Sequence, residues 1–452
     1  MRETESISIN GITQGVIWKQ LLGFFFPIVF GTLFQQLYNT ADAIIVGQML
    51  GKQALAAVGG GTSTAINLLI GFFTGLASGA TVIISQYYGA RDEERVSLAI
   101  HSAAAIALYS GILVSVAGFF LSGPLLKAIS TPDDIFPLAL TYMRIYFAGG
   151  IAVVMYNMGS GIFRAFGDSR SPLYFLIAGC LVNIVLDIVL IGVFKMGVAG
   201  AAVATVLSQV ISLLLVIIKL RRRTDCCRLE FSKIRAERFI MTKTLAIGLP
   251  AGIQSIMYSV SNLMIQAGVN GFGTNAAAAW AAYGKLDSLF WMIINAFGIA
   301  ITTFVGQNYG AGKIDRAKRG VRECLALSFA FTMVMEALYI LFGRYGYLLF
   351  TNDEGVIATG EVVLMAIAPY FFTFICVEVL SGAIRGTGKA LIPTLFTVFG
   401  ICGLRIVWLA ILPLGKSLEG VVKCYPVTWI ITSILFIVYY LFGGIYKMRD
   451  QV

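Results

Sequence analysis

The chain carries an acidic residue inside a long apolar stretch near its start. The stretch runs from Pro27 to Gly47, PIVFGTLFQQLYNTADAIIVG, and the acid is Asp42. A charged side chain in a bilayer costs roughly 2.5 to 3.5 kcal/mol on insertion scales, so such an acid is a candidate functional residue. Pro27 removes one backbone hydrogen bond and predicts a bend in the helix. We therefore expect Asp42 to take up and release a cation on a helix that bends at Pro27.

A second polar pair lies in the motif Asn183-Ile-Val-Leu-Asp187, whose i, i+4 spacing puts both side chains on one face of a helix. Asp42, Asp187 and Thr205 lie at comparable depths in three predicted spans. Two carboxylates, an amide carbonyl and a hydroxyl are oxygen ligands suited to sodium. Two acids that share an apolar site would equally hold a proton. The alternative is that Asp42 or Asp187 only hydrogen-bonds a neighbouring helix.

The elements that position these residues are membrane spans. The chain has 452 residues, of which 58% are hydrophobic and 12% charged, and its mean hydropathy is +0.85. Soluble domains carry about 25% charged residues, and a membrane-spanning helix needs about 20 apolar residues. The apolar runs number about twelve. Composition therefore predicts an all-α polytopic membrane protein with twelve transmembrane helices.

The charged residues predict how the chain is oriented. The net charge is +10, and most of the 33 Lys and Arg lie at the termini or in the even-numbered loops. A Lys/Arg excess is typical of cytoplasmic loops. We therefore expect a multi-pass protein of the plasma (inner) membrane with cytoplasmic N- and C-termini. The second half of the longest polar stretch, 219–243, is either an amphipathic helix on the inner leaflet or part of a plain cytoplasmic linker.

The two halves of the chain repeat each other. Pro27 and Asn39 correspond to Pro250 and Asn262, SQYYGARDEER (85–95) corresponds to GQNYGAGKIDR (306–316), and SGIFRAFGDSRSP (160–172) corresponds to SGAIRGTGKALIP (381–393). The offset stays between 220 and 223 residues. Such a duplication predicts two six-span lobes, 1–218 and 243–452, joined by a basic linker at 219–242. Repeats with a site within or between bundles are typical of secondary transporters.

With these motifs in this order, the sequence resembles the multidrug and toxic compound extrusion (MATE) family of the MOP superfamily. The resemblance rests on ADAIIVG after a proline helix, the matched QYYGA/QNYGA and RAFGD/RGTGK loops, and NIVLD followed by GVAGAAVATVLSQ, and it covers essentially the whole chain. It implies two pseudo-symmetric six-helix bundles in a V-shaped, two-lobe transporter that works by alternating access. It also implies export of amphiphilic or cationic organic compounds, such as drugs, toxins or metabolites, in exchange for H+ or Na+.

The resemblance assigns roles to particular residues of the first lobe. It implies that Asp42, Asn183, Asp187 and Thr205 form a cation or proton site and that Pro27 is the helix-1 kink. Further polar and aromatic side chains of this lobe are candidates for a substrate cavity, because aromatic rings suit cationic or planar amphiphiles. The alternative for the tyrosines is packing or anchoring at the membrane interface. The cavity candidates are Gln35, Tyr38, Asn39, Tyr142, Tyr146 and Asn157.

The second lobe does not repeat the acid pair. Ile265 stands at the position equivalent to Asp42, and Trp408 at the position equivalent to Asp187, which favours coupling through the first lobe. Its spans nevertheless contain charged residues, which would be costly if unpaired. We expect buried ion pairs such as Lys285 with Glu378 or Asp287 with Arg405. This polar network is either structural or a second substrate or proton site. Its members are Lys285, Asp287, Glu378 and Arg405.

Other functions remain alternatives. A flippase of lipid-linked saccharides would need a basic cavity, whereas only Lys285 and Arg405 are clear cations within the spans. A membrane enzyme would need a catalytic cluster, and the chain has a single histidine, His101, and seven scattered cysteines without a CxxC motif. A channel would not require the acid pair or the bend. We expect a monomer in the lipid bilayer that binds a small organic substrate, with no enzyme activity, cofactor, metal framework or nucleic-acid partner.

Overall fold

The computed structural model describes residues 12–129, 131–411 and 417–443. Within these ranges the chain is almost entirely helical and contains no β-strand. The α-helices are α1 (Ile17–Leu50), α2 (Lys52–Gly59), α3 (Gly61–Gly89), α4 (Glu93–Ala128), α5 (Phe136–Ala148), α6 (Gly150–Ala165), α7 (Arg170–Asp187), α8 (Gly197–Arg221), α9 (Arg238–Asn270), α10 (Thr274–Gly310), α11 (Ile314–Leu348), α12 (Glu354–Ile367), α13 (Phe371–Gly386), α14 (Leu391–Thr397), α15 (Leu404–Ile411), α16 (Leu418–Val422) and α17 (Cys424–Phe442).

The helices are long and apolar enough to cross a membrane many times. Eleven candidate spans occur among the described residues, and a twelfth is formed if α5 and α6 are counted together as one bent span. The bend between α5 and α6 is 51° and falls at Gly149. A Cβ on Gly149 would lie 2.4 Å from Val206 Cγ1, so the missing side chain lets this backbone pack closely on α8. The predicted all-α fold with twelve transmembrane helices is confirmed.

The chain folds into two compact units. Unit 1 contains the described residues from Phe26 to Gly252, and unit 2 contains Ile12–Phe25 and the described residues from Ile253 onward. Two helices are therefore divided between the units, α1 beside Pro27 and α9 two residues after Pro250. The predicted lobes differ from these units at both segments, because the first part of each helix packs with the opposite half of the chain.

In unit 1, glycines bring α3 and the first part of α9 into backbone contact. Gly75 and Gly79 are spaced four residues apart on α3, and Gly248 and Gly252 have the same spacing on α9. A Cβ on Gly75 would lie 2.5 Å from Gly252 N, and one on Gly79 would lie 2.4 Å from Thr244 O. Small residues at this spacing allow close helix packing in membranes. The glycines thus fix the start of α9 within unit 1.

In unit 2, the segment before α1 is held by polar side chains of the turn between α10 and α11. Arg316 donates to the carbonyl of Gln14 (3.0 Å) and to Gln20 Oε1 (2.8 Å), and Lys313 donates to the carbonyl of Thr13 (2.9 Å). Further along α1, the rings of Phe25 and Phe297 stack with centroids 4.1 Å apart. The start of α1 is therefore anchored in unit 2 by side-chain contacts, whereas α9 uses glycines in unit 1.

The basic linker does not form the amphipathic helix considered from the sequence. Between the end of α8 and the start of α9 its only helical turn is a short 3-10 turn, Phe231–Lys233. Two backbone N–H groups of the linker instead donate hydrogen bonds to side chains of α4. Glu230 N–H donates to His101 Nε2 (3.0 Å), and Glu237 N–H donates to Ser102 Oγ (3.2 Å). Because these groups have partners outside the segment, a helix is not needed to satisfy them.

Candidate coupling site in unit 1

Three helices of unit 1 bring the predicted coupling residues together. Asp42 lies on α1, Asn183 and Asp187 on α7, and Thr205 on α8. All four are buried, with 7% of Asp42, 0% of Asn183 and Asp187, and 3% of Thr205 exposed. Asp187 is the last residue of α7, and a π-helical segment, Ile188–Val193, follows it directly. Such π-helical insertions are frequent at functional sites.

The two acids form the centre of this site. The carboxyl groups of Asp42 and Asp187 lie within hydrogen-bonding reach of each other. Two carboxylates can share a hydrogen bond only if one of them carries a proton, since an ionised carboxylate only accepts. Two negative charges about 4 Å apart would repel by roughly 4 kcal/mol at an effective dielectric constant near 20. The pair therefore requires a proton or another cation between the two groups.

Asn183 links the acid pair to α8. Its amide, oriented to satisfy both of its groups, donates to Asp187 Oδ2 (3.1 Å) and accepts from the backbone N–H of Thr205 (3.3 Å). The side chain thus offers an N–H, not its carbonyl oxygen, to the carboxylate. The Thr205 hydroxyl donates to the carbonyl of Ala201 (3.0 Å), which leaves its oxygen free to accept. Both residues predicted from the sequence therefore contact the site, but Asn183 acts as a donor.

Two oxygens of the acid pair are buried without a partner. Asp42 Oδ1 and Asp187 Oδ1 have no hydrogen-bond donor among the residues that the structure describes. Unsatisfied buried acceptors are costly, by about 1 to 3 kcal/mol or more when charged. These atoms are where a proton or a cation would bind. In the same described part of the chain, no group of three or more His, Cys, Asp and Glu side chains could hold a metal ion.

A layer of tyrosines covers the site. The phenols of Tyr38 and Tyr142 both lie within hydrogen-bonding reach of Thr205, and the Tyr146 ring stacks on that of Tyr142 with centroids 6.3 Å apart. These three rings were predicted as substrate-cavity residues. The structure places two of them beside Thr205, one of the predicted coupling residues.

Two cavities of unit 1 adjoin this tyrosine layer. One is a small pocket lined by Gln35 and Tyr38 together with polar residues of α7 and α8, among them Gln209. The other is a small, mainly apolar pocket lined by Tyr146 and Asn157. Neither cavity has a Lys, Arg, Asp or Glu in its lining. Two predicted cavity residues, Tyr142 and Asn39, line neither of them, and Asn39 is exposed on α1. Gln209 was missed, although it follows the predicted Thr205 by one helical turn.

In unit 2, neither expected ion pair is present among the described residues. Asp287 instead accepts hydrogen bonds from Trp291 Nε1 (2.6 Å) and from the Tyr283 hydroxyl (3.1 Å). Both donors lie four residues away on the same helix, so the i, i+4 spacing could have identified them. Neutral donors satisfy this acid, and Lys285 is exposed.

Arg405 is also held by neutral groups, although its buried Nε has no hydrogen-bond partner among the described residues. Its Nη1 donates to Asn262 Oδ1 (3.1 Å), and its guanidinium lies 4.0 Å from the centroid of the Tyr425 ring. Glu378 lies against Gly298, where a Cβ would come within 2.1 Å of its Oε1. The predicted members of the network are therefore present in unit 2, but they do not pair with one another as expected.

The chain consists of repeated helical units with candidate membrane spans, and one unit holds a buried acid pair beside two uncharged pockets. These features are typical of an integral-membrane transport protein. The MatE family model matches residues 27–189 and 250–411, one copy in each half, and the chain belongs to this family. It is similar to two proteins of Bacillus subtilis (strain 168). It is 31% identical to the probable multidrug resistance protein YpnP, over 95% of this chain and 96% of that protein. It is 28% identical to the probable multidrug resistance protein YoeA, over 94% of each.

A solved structure shares the fold. The crystal structure of MATE in the bent conformation matches with a TM-score of 0.88 and 24% sequence identity, over 95% of each chain. The predicted membership of the MATE family is confirmed, and the protein is a multi-pass membrane transporter.

Proposed function

We propose that this protein exports amphiphilic or cationic organic compounds in exchange for H+, and that the Asp42–Asp187 pair is the coupling site. The observation that carries this proposal is the contact between the two buried carboxyl groups. A pair that cannot hold two uncompensated charges must bind and release a cation as its surroundings change. The names of the two Bacillus subtilis relatives support multidrug export as the activity.

The chemistry around the pair favours a proton over Na+. Asn183 directs its amide N–H at Asp187 and its oxygen at the backbone of α8, so this side chain does not offer an oxygen ligand. The oxygens that remain for a metal ion are one from each acid and the Thr205 hydroxyl. A proton needs only the two acid oxygens, whereas hard cations bind larger sets of oxygen ligands. Sodium coupling is the alternative outcome of the experiment below.

The bend predicted in α1 supplies the link between the cation and substrate movement. Pro27 lies 15 residues before Asp42, about four helical turns and roughly 22 Å along the helix. A change of bend at Pro27 would move Asp42 relative to α7 and α8, and so would open or close the acid pair. Exchange follows if proton and substrate favour different conformations.

The linings of the two small pockets, which would have to widen to admit an organic molecule, support an uncharged or cationic substrate. Their linings contain no cation that would attract an anion, and they contain tyrosines that suit organic cations and planar rings. A flippase of lipid-linked saccharides would carry pyrophosphate charge, which these linings do not neutralise. The cavity next to Tyr38 is more polar than the one next to Tyr146, so the substrate class includes molecules with hydrogen-bonding groups.

A transport assay with separate gradients tests the proposal. Inside-out vesicles receive a fluorescent organic cation in the external medium, and H+ and Na+ gradients that are higher in the lumen are imposed one at a time while uptake of the dye is measured. The H+ gradient alone should drive transport by the wild type, and Asp42→Asn and Asp187→Asn should each abolish the gradient-driven part. Asp287→Asn is the matched control, because this buried acid of unit 2 is held by Trp291 and Tyr283. It should retain H+-driven transport.

Each contrary result has a definite meaning. Transport driven only by Na+ would overturn proton coupling and leave the site in place. Unimpaired H+-driven transport by Asp42→Asn would overturn the site itself.

A further inference from the structure

The loop between α8 and α9 carries two adjacent thiols that the transport mechanism does not use. Cys226 and Cys227 are both free, and their Sγ atoms lie 3.8 Å apart. Cys227 is fully buried, whereas Cys226 is half-buried and can be reached from outside. The remaining five cysteines lie on membrane helices. This pair is therefore a dithiol on the predicted cytoplasmic side of the protein.

The loop holds the two thiols in a fixed position. The backbone N–H of Cys227 donates to Asp225 Oδ1 (3.1 Å), and Asp225 is bound in turn by the Arg223 side chain. The Arg223 guanidinium lies 5.1 Å from the centroid of the Phe166 ring at the end of α6. A backbone hydrogen bond from Leu229 to Leu220 closes the loop against α8 (3.2 Å). The dithiol thus lies in an ordered turn and not in a free tail.

The electrostatics of the turn distinguish the two sulfurs. The hydrogen bond from the Cys227 thiol lowers the pKa of Cys226, and the Arg223 guanidinium acts in the same direction. Burial and the carboxylates of Asp225 and Glu93 oppose them without reversing the shift. The hydrogen bond to Cys226, together with burial, raises the pKa of Cys227. Since the thiolate is the nucleophile, Cys226 reacts first and Cys227 retains its proton until it reacts.

A direct disulfide between these residues is unfavourable. Adjacent Cα atoms are 3.80 Å apart across a trans peptide, whereas disulfides usually join Cα atoms about 4.4 to 6.8 Å apart. Reducing conditions in the cytoplasm also keep thiols free. A ligand atom that bonds both sulfurs removes this constraint, because the sulfurs then need not approach each other.

We propose that Cys226 and Cys227 form a chelating site for trivalent arsenicals of the type R–As=O. The Cys226 sulfur bonds to arsenic first, and the Cys227 sulfur bonds second. The two thiol protons join the oxo oxygen, which leaves as water, so that two S–As bonds replace the As=O bond. Arsenic remains trivalent throughout, and no oxidant or reductant is consumed. The site is independent of the coupling residues.

Phenylarsine oxide is the probe for the test. The purified, folded transporter is incubated with it, and the intact mass is measured. One phenylarsenic group should bind per chain. Dimercaptopropanol, a dithiol, should remove it, and the same concentration of a monothiol should not. Cys226→Ser and Cys227→Ser should each weaken binding at least tenfold. The control, Cys180→Ser combined with Cys376→Ser, changes the two half-buried cysteines of the membrane helices and should bind as the wild type does.

Several outcomes would overturn the proposal. They are no uptake by the wild type, retained uptake by Cys226→Ser, or loss of uptake in the control pair. Size-exclusion profiles establish that each variant is folded. Because Cys226 is half-buried, its serine variant keeps the test decisive if Cys227→Ser is unstable.

Discussion

The glycine contact between α3 and α9 makes the most direct prediction about how unit 1 is held together. Gly79→Ala adds a single methyl group. That Cβ would lie 2.4 Å from Thr244 O and 2.7 Å from Gly248 N, both backbone atoms that cannot rotate away. Ordinary contacts of a carbon atom begin at about 3.5 Å, so the two helices would have to separate by about 1 Å.

The size and sign of the effect follow from this distance. Alanine normally stabilises a helix interior by roughly 0.5 to 1 kcal/mol relative to glycine. Overpacking typically costs about 1 to 3 kcal/mol, so the net expectation is a loss of up to about 2.5 kcal/mol, with a central value of about 1.2 kcal/mol. At roughly 2 to 4 °C per kcal/mol for a domain of the size of unit 1, the central value lowers Tm by about 2 to 5 °C. Thermal unfolding in detergent measures this change.

A matched substitution separates packing from helix propensity. Gly284 lies inside α10, and a Cβ there would meet no atom within 4 Å. Gly284→Ala should therefore leave Tm unchanged or raise it. If Gly79→Ala were as stable as the wild type, the backbone contact would not be what fixes the start of α9 in unit 1.

Two further predictions concern Pro27 and Arg405. Pro27→Ala restores a backbone N–H that can form the missing helical hydrogen bond, so the variant should fold with an equal or higher Tm. Its H+-driven transport should fall at least tenfold. Transport at the wild-type rate would exclude a functional bend at Pro27. Arg405→Leu removes two interactions of the guanidinium. Its hydrogen bond to Asn262 contributes about 1.5 to 3 kcal/mol, and its cation–π contact with Tyr425 contributes about 2 kcal/mol. The Tm of this variant should fall clearly, whereas its residual transport should still respond to the H+ gradient. Loss of the gradient response in folded Arg405→Leu would place coupling in unit 2 as well.

The membrane fold and the members of the acid site could be predicted because simple periodicities encode them. Hydropathy identifies spans without knowledge of their neighbours. The i, i+4 spacing of Asn183 and Asp187 and the equal depth of Asp42 were sufficient to group them. The direction of the Asn183 amide could not be predicted, because it depends on which backbone group of α8 lies opposite. Sequence therefore indicated the residues of the site but not which of them donate hydrogen bonds.

The division of α1 and α9 between the two units was not predicted. Hydropathy does not record which half of the chain a helix packs against. A signal was nevertheless present, since Gly75 and Gly79 on α3 and Gly248 and Gly252 on α9 share the four-residue spacing that lets membrane helices approach closely. The expected ion pairs of unit 2 failed for a related reason. The expected pairs followed from opposite charge, whereas Asp287 accepts hydrogen bonds from neutral donors one turn away on its own helix.

The two repeats carry groups of opposite charge in corresponding regions: a buried acid pair in unit 1 and a buried arginine in unit 2. With the offset of 220 between residues 197 and 417, Thr205 corresponds to Tyr425, and with the offset of 223 between Pro27 and Pro250, Asn39 corresponds to Asn262. In unit 2 these two positions bind the guanidinium of Arg405, and Trp408, which replaces Asp187, donates instead to the carbonyl of Gly420 (2.9 Å).

Arg405 is a positively charged side chain that is part of the polypeptide, so its charge cannot leave the site. Unit 1 has no such resident cation at the described site; it has two acids, each with an unpartnered oxygen. A site that exchanges a cation needs carboxylate oxygens without a permanent partner. A site that does not exchange one can instead contain a covalently attached positive charge. Under the proposed coupling mechanism, the duplication left one unit with an acid pair open to a cation and one in which a fixed positive charge takes the cation's place.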